Sequence, residues 1–140
     1  MSKGTKISDC QVVQLPSIPT DAGSITSLNN RIEVPFDIRR VYYLYDIPGG
    51  ASRGGHAHYE LHQYIIAASG SFDITIDDGD EKKRYSLNRP FEGLHISPGI
   101  WRELSNFSSG GICLVMASEI YLKEDYIYSY EDFLKWKKNE

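Results

Sequence analysis

Cysteine is scarce in this chain: there are two in 140 residues, and Cys10 and Cys113 stand far apart with no CxxC motif. That sparseness excludes a disulfide framework and a cysteine-rich zinc site, and it reads as two small buried apolar side chains. Excess positive charge is missing as well, with 15 basic against 19 acidic residues, a net charge of -4, and no block of like charge. A broad basic face that coats nucleic acid or anionic lipid is therefore not expected, and a phosphate ligand has to be met by a few placed arginines. No stretch approaches the roughly 20 apolar residues of a membrane span. Nor does an apolar segment follow Met1-Ser2-Lys3-Gly4-Thr5-Lys6 in the manner of a signal peptide. A soluble cytoplasmic protein is the expectation. Internal repeats, low-complexity segments and linker-like shifts are also lacking, so residues 1–140 are expected to form a single domain, long enough to build its own core.

What the chain does contain is a series of short β-rich runs punctuated by Gly, Pro, Asp and Asn. They are Cys10 to Leu15, Ser24 to Leu28, Arg39 to Asp46, Gln63 to Ala67, Phe72 to Ile76, Lys83 to Leu87, Gly93 to Ile96 and Gly111 to Ala117. Such spacing predicts an antiparallel sandwich or barrel, an all-β fold. Asp77-Asp78-Gly79-Asp80 reads as a hairpin turn, because Asp-Gly supplies the positive φ of a tight connection. Only the tail carries helical spacing. Tyr130, Phe133, Leu134 and Trp136 share a face, Ser129 is placed to cap, and Lys135, Lys137 and Lys138 complement the last turn, which predicts a short helix over about residues 129–138.

The segment richest in chemistry is Arg53-Gly54-Gly55-His56-Ala57-His58. Side chains alternate faces along a strand, so the two imidazoles point the same way with Cα atoms about 6 to 7 Å apart. Such a pair either holds a metal or moves protons. Gly50 through His58 matches the first cupin motif, G-x5-H-x-H, but Gln63 stands where that motif places a glutamate. In the second motif, P-x-G-x-x-H counted from Pro98, the histidine position holds Glu103, next to Arg102. An amide supplies a dipole where a carboxylate supplies charge, so two of the four usual metal ligands are altered. His62 and His95 read as ordinary rim or core residues.

Longer stretches support a specific resemblance. Pro35-Phe36-Asp37-Ile38-Arg39-Arg40-Val41-Tyr42-Tyr43, Arg53-Gly54, His56-Ala57-His58, Gln63, Asp77-Asp78-Gly79, Leu87-Asn88 and Gly93-Leu94 run in order. They are followed by Trp101 with Glu103, Phe107-Ser108, Ala117-Ser118 and Asp125-Tyr126-Ile127. Over roughly residues 10–136 the chain resembles the sugar 3,4-ketoisomerases of the RmlC-like cupins, which act on dTDP-4-keto-6-deoxyglucose. The resemblance implies a jelly-roll cupin β-barrel, a homodimer that exchanges N-terminal strands, and a metal-free site needing no cofactor. It also implies a place in the synthesis of amino-dideoxy sugars for bacterial surface polysaccharide.

The residue types suit that chemistry. A C4 carbonyl acidifies the C3 hydrogen, and histidine, with a pKa of about 6.5, can both accept and return a proton near neutrality. His56 is expected to take the C3 proton and His58 to shuttle between the C3 and C4 oxygens. Arg40 and Tyr42 share a strand face, so a Tyr42 phenol pointing inward can donate to a sugar oxygen. Arg53, Arg40 and Arg102 are the candidates for pyrophosphate or enediolate. Gln63, Trp101 and Glu103 complete the expected substrate-contacting set. Ala22 stands where many relatives carry a larger residue, and Arg102 where relatives vary between His and Arg; both bear on the face of C4 that is protonated, with the gluco product favoured. The alternatives are a metal-dependent cupin oxygenase using His56, His58 and Glu103, a 3,5-epimerase, and a non-catalytic sugar-binding cupin.

Overall fold

The computed structural model describes residues 2–139. Its strands are β1 (Gln11–Gln14), β2 (Ile18–Thr20), β3 (Gly23–Ile25), β4 (Arg40–Leu44), β5 (Arg53–His58) and β6 (Gln63–Ser69). They continue with β7 (Phe72–Asp77), β8 (Lys82–Leu87), β9 (Glu92–Ile96), β10 (Trp101–Ser105), β11 (Ile112–Ala117) and β12 (Tyr126–Ile127), and a terminal helix, α1, covers Tyr130–Lys138. Two five-stranded sheets, ordered β1-β9-β6-β11-β4 and β12-β5-β10-β7-β8, face each other, and β2 and β3 form a separate hairpin. Every pairing between strands is antiparallel, as the all-β expectation requires.

Alternation along each strand divides the chain between an inside and an outside. Ile65, Ala67, Phe72, Ile74, Ile76, Leu94, Cys113 and Val115 point between the sheets and form the main core. The intervening residues Tyr64, Ile66 and Met116 point outward, where Leu15, Val34 and Phe36 from the N-terminal segments cover them. At one end of the barrel the inward positions turn polar, which opens a site instead of closing a core. Both cysteines are buried and unpaired, and burial pushes the Cys113 thiol up to about 12, so it stays protonated and inert.

Two sequence readings are corrected in part. The strand expected over Ser24 to Leu28 is displaced into the hairpin β2–β3, which turns at Asp21-Ala22. Trp101–Ser105, not read as a strand, is the central β10. The tail follows expectation: Ser129 caps α1 by accepting a hydrogen bond from the backbone N–H of Asp132. Phe133 on its inner face packs with Ala57, Trp101 and Ile127 on the back of the histidine strand. Among the described residues no helix is long and apolar enough to cross a membrane.

Candidate active site

Cross-strand register assembles the site. Arg102 on β10 lies opposite His56 on β5, and Tyr126 on β12 lies opposite His58. In the facing sheet Tyr42 pairs with Val115, and Gln63 with Ala117. The inward side chains line a pocket of about 560 Å³ that includes Tyr42, Arg53, His56, Gln63, Arg102 and Tyr126. Apolar walls from Leu44, Ile65, Leu104 and Val115 complete it.

His56 is on the pocket wall. His58 lies just behind it, wholly buried, with the two rings edge to face at 4.9 Å between centroids. Burial, reinforced by the Arg102 charge, lowers His56 to about 2, so its imidazole is neutral at any physiological pH. His58 is lowered to about 4: burial dominates, and the Asp125 carboxylate pulls partly the other way. The Nε2 atoms of both rings are buried without a protein partner. Buried polar atoms are seldom left unpaired, so Nε2 of His56, on the pocket wall, is available to a ligand, and that of His58 lies one ring behind it.

Arg102 is fully buried and has no ion pair among the described residues. Its guanidinium donates to Oε1 of Gln63 and to the carbonyl of Ile100. Burial lowers it to about 10, which leaves it charged at neutral pH. Gln63 in turn donates through Nε2 to the Tyr42 hydroxyl at 3.0 Å. Burial raises the Tyr42 pKa, so the phenol keeps its proton and, its oxygen being occupied by Gln63, has that proton free to donate.

Several expected residues lie elsewhere. Trp101 and Glu103 point to the opposite face of β10, where the indole Nε1–H donates to Glu103 and the ring packs against Tyr130 and Phe133. Neither lines the pocket. The physical reason is strand parity: Arg102 and Leu104 face in, so their neighbours face out. Counted from Gly99, the place of the motif's histidine falls on Arg102, not Glu103. The donor set His56, His58 and Glu103 is therefore not assembled. Among the described residues no group of three His, Cys, Asp or Glu is arranged to hold a metal ion.

Arg40 stands behind the wall, donating to the Tyr126 hydroxyl at 3.3 Å with its guanidinium over the Tyr42 ring. Arg53 is exposed at the mouth. Gly55 does not serve ligand approach alone: a Cβ there would lie 2.5 Å from the Trp101 ring, so the glycine admits the indole behind the histidine strand. His62 and His95 pair with each other at 3.0 Å between ring nitrogens, outside the pocket. Ala22 sits in the exposed hairpin turn.

Three residues at the site had been given no role from sequence. Asp125 bonds His58, Tyr126 lines the wall with its ring 4.3 Å from that of His58, and Tyr128 stacks on Tyr126 at 5.2 Å. All three lie in the matched Asp125-Tyr126-Ile127 stretch or next to it, so the signal was present without a partner to interpret it.

Two facing antiparallel sheets with a His-x-His strand at a polar mouth define a cupin of the RmlC-like type. A Mycobacterium tuberculosis rmlC epimerase shares the fold at 14% identity, covering 89% of this chain and 70% of that one, with a TM-score of 0.75. The chain belongs to the FdtA family, described as WxcM-like, C-terminal, whose model matches residues 8–138. It is 36% identical over 126 residues to the TDP-4-oxo-6-deoxy-alpha-D-glucose-3,4-oxoisomerase of Aneurinibacillus thermoaerophilus, covering 90% of this chain and 91% of the relative. The solved TDP-quinovose 3,4-ketoisomerase WlaRB of Campylobacter jejuni is 44% identical with a TM-score of 0.87, covering 91% of this chain and 98% of that one. QdtA, a sugar 3,4-ketoisomerase from Thermoanaerobacterium thermosaccharolyticum solved with TDP, is 37% identical with a TM-score of 0.91, covering 95% and 97%.

Proposed function

We propose that this chain is a sugar-nucleotide 3,4-ketoisomerase that converts TDP-4-keto-6-deoxyglucose to the TDP-3-keto-6-deoxy sugar. The observation that carries the reading is the convergence on one pocket of the neutral His56 imidazole, a proton-bearing phenol and a buried guanidinium, with the neutral His58 ring in edge-to-face contact directly behind His56. The names of the relatives supply the substrate.

In the mechanism, His56 takes the proton from C3, the C3–H electron pair becomes the C3–C4 double bond, and the C4 carbonyl oxygen gains the negative charge. Tyr42, held by Gln63, donates its hydrogen bond to that oxygen as charge develops, the point at which a preplaced donor in a dry site stabilises most. His58 accepts the proton of the C3 hydroxyl and supplies one to the C4 oxygen. As the C3 oxygen becomes a carbonyl, C4 takes a solvent-derived proton on the face opposite His56, since H3 and H4 of a gluco sugar lie on opposite faces of the ring. His56 releases the C3 proton to solvent. Bonds and protons balance, and no electron acceptor is required. Arg53 at the mouth meets the pyrophosphate, while Arg102 acts through Gln63 and by its field; Arg40 braces Tyr42 and Tyr126.

The reaction is read as metal-free. A buried guanidinium occupies the inward position of β10 beside His56, and its charge opposes a cation at the two imidazoles. Arg102 and the likeness to the quinovose enzyme favour the gluco configuration at C4, since quinovose is 6-deoxyglucose. We also read residues 1–140 as one cupin domain working as a cytoplasmic homodimer. β4 is a sheet edge with Val41 and Tyr43 exposed, and the hairpin β2–β3 exposes Ile18 and Ile25; edges and apolar side chains of this kind call for cover.

The test is incubation with TDP-4-keto-6-deoxyglucose in D2O, followed by NMR. A 3-keto sugar is expected from the wild type and not from a folded His56→Asn variant. Absence of turnover by the wild type overturns the reading.

A further inference from the structure

His58 and Asp125 are 67 residues apart in sequence, yet Nδ1 of the imidazole lies 3.2 Å from Oδ2 of the carboxylate. The two-residue pairing of β12 with β5 brings them together, since Tyr126 sits opposite His58 and Asp125 immediately precedes it. The carboxylate is held from a second side by the chain that follows β5. Backbone N–H of Glu60 donates to Oδ1 at 2.8 Å and that of Leu61 to Oδ2 at 3.2 Å, while the N–H of Tyr59 donates to the Asp125 carbonyl at 3.1 Å. Desolvation opposes ionisation here, but these hydrogen bonds and that of His58 win, and Asp125 stays below the usual carboxylate range. An ionised carboxylate only accepts, so the proton between the two residues belongs to the imidazole.

We infer that Asp125 is a positioning residue that locks His58 in the Nδ1–H tautomer, so that Nε2, buried and without a protein partner, is the atom that accepts and returns the proton. This rests on the isomerase reading above. The consequence for the relay is direct. When His58 takes the hydroxyl proton on Nε2, it becomes an imidazolium with no solvent contact, beside the charges of Arg102 and Arg40. Asp125 is the one carboxylate within hydrogen-bonding reach to compensate it among the described residues. His56 has no such partner, which accounts for the gap between about 4 for His58 and about 2 for His56. The neighbouring imidazole that meets the C–H bond is thus left to act transiently, while the one with the carboxylate is built to hold a proton between the two oxygens.

The test is Asp125→Asn in the full chain. With the asparagine oxygen on the Glu60 N–H, the shorter of the two backbone contacts, the NH2 gives up the 3.2 Å contact to the Leu61 N–H and faces Nδ1 of His58, which demands the opposite tautomer. Long-range nitrogen–proton NMR of the His58 ring is expected to show Nδ1–H in the wild type and Nε2–H in the variant. A fall in kcat of about a hundredfold is expected, with KM little changed, as for loss of a proton-transfer group. Asp125→Glu is expected to recover part of the loss. Wild-type His58 found as Nε2–H overturns the inference, and does so even if the variant fails to fold. A variant that switches neither tautomer nor kcat overturns it as well. A wild type that shows the Nδ1–H tautomer but does not turn over the keto sugar sinks the isomerase reading and leaves the tautomer assignment standing.

Discussion

Arg102 donates to Oε1 of Gln63, and that contact decides which end of the amide faces Tyr42. With the oxygen engaged by a cation, Nε2 is the end left for the phenol, so the Tyr42 proton is turned toward the pocket. A residue that replaces an expected metal ligand thereby acquires another task, orienting a hydrogen-bond donor.

Gln63→Leu removes both contacts at once. It leaves a buried guanidinium short of an acceptor, with an expected stability loss of about 2 kcal/mol or more in urea denaturation. Turnover should fall by about tenfold or more, because the phenol is no longer aimed. Tyr42→Phe should reproduce the loss in kcat with little loss of stability. A Gln63→Leu enzyme with wild-type kcat would sink the orienting role.

Dialysis against a strong chelator should leave activity unchanged. Elemental analysis of the active protein should find no stoichiometric iron or manganese. One tightly bound equivalent, whose removal abolishes turnover and whose return restores it, is the outcome that would replace proton transfer with metal chemistry.

Acid should destabilise the fold well before its carboxylates titrate. Burial lowers His58 and His95 to about 4 and His56 to about 2, from a reference of 6.5. Below 6.5 the unfolded chain binds protons that the folded chain refuses. Stability is therefore fully present above 6.5 and falls as pH drops toward 4, by up to about 1.4 kcal/mol per pH unit for each such histidine. Melting temperature measured from pH 8 to 4.5 should be level at first and then drop steeply below about 6. A level profile down to pH 5 would contradict the neutral state assigned to these rings.

Gly55→Ala should displace the Trp101 indole, whose ring atoms stand 2.5 Å from the new methyl position. Overpacking of this kind costs about 1 to 3 kcal/mol. Loss of activity should accompany a change in tryptophan fluorescence, because Gly55 directly precedes His56. Unaltered fluorescence with normal kcat would show that the indole yields freely.

Most strands were legible because their apolar residues alternate, as in Phe72, Ile74 and Ile76. β10 was not, since Trp-Arg-Glu-Leu-Ser places an arginine inside and a tryptophan outside, which inverts the usual pattern. That inversion also explains the misplacement of Glu103: motif spacing counted from Pro98 misses strand parity by one residue. Local spacing and resemblance pointed to His56, Tyr42 and Gln63, which line the pocket, and to His58, which lies one ring behind His56. Asp125 was not singled out, because its partner lies across a two-residue strand that no periodicity announces.

The packing of Phe133 and Trp101 against Ala57 gives the C-terminal helix a grip on the one residue that separates the two histidines. The tail is thus a buttress to the proton-handling strand. Fraying it by truncation, or by a fusion that pulls on it, should slow turnover while the barrel is still folded. Heat inactivation should for the same reason begin at the helix, ahead of global melting.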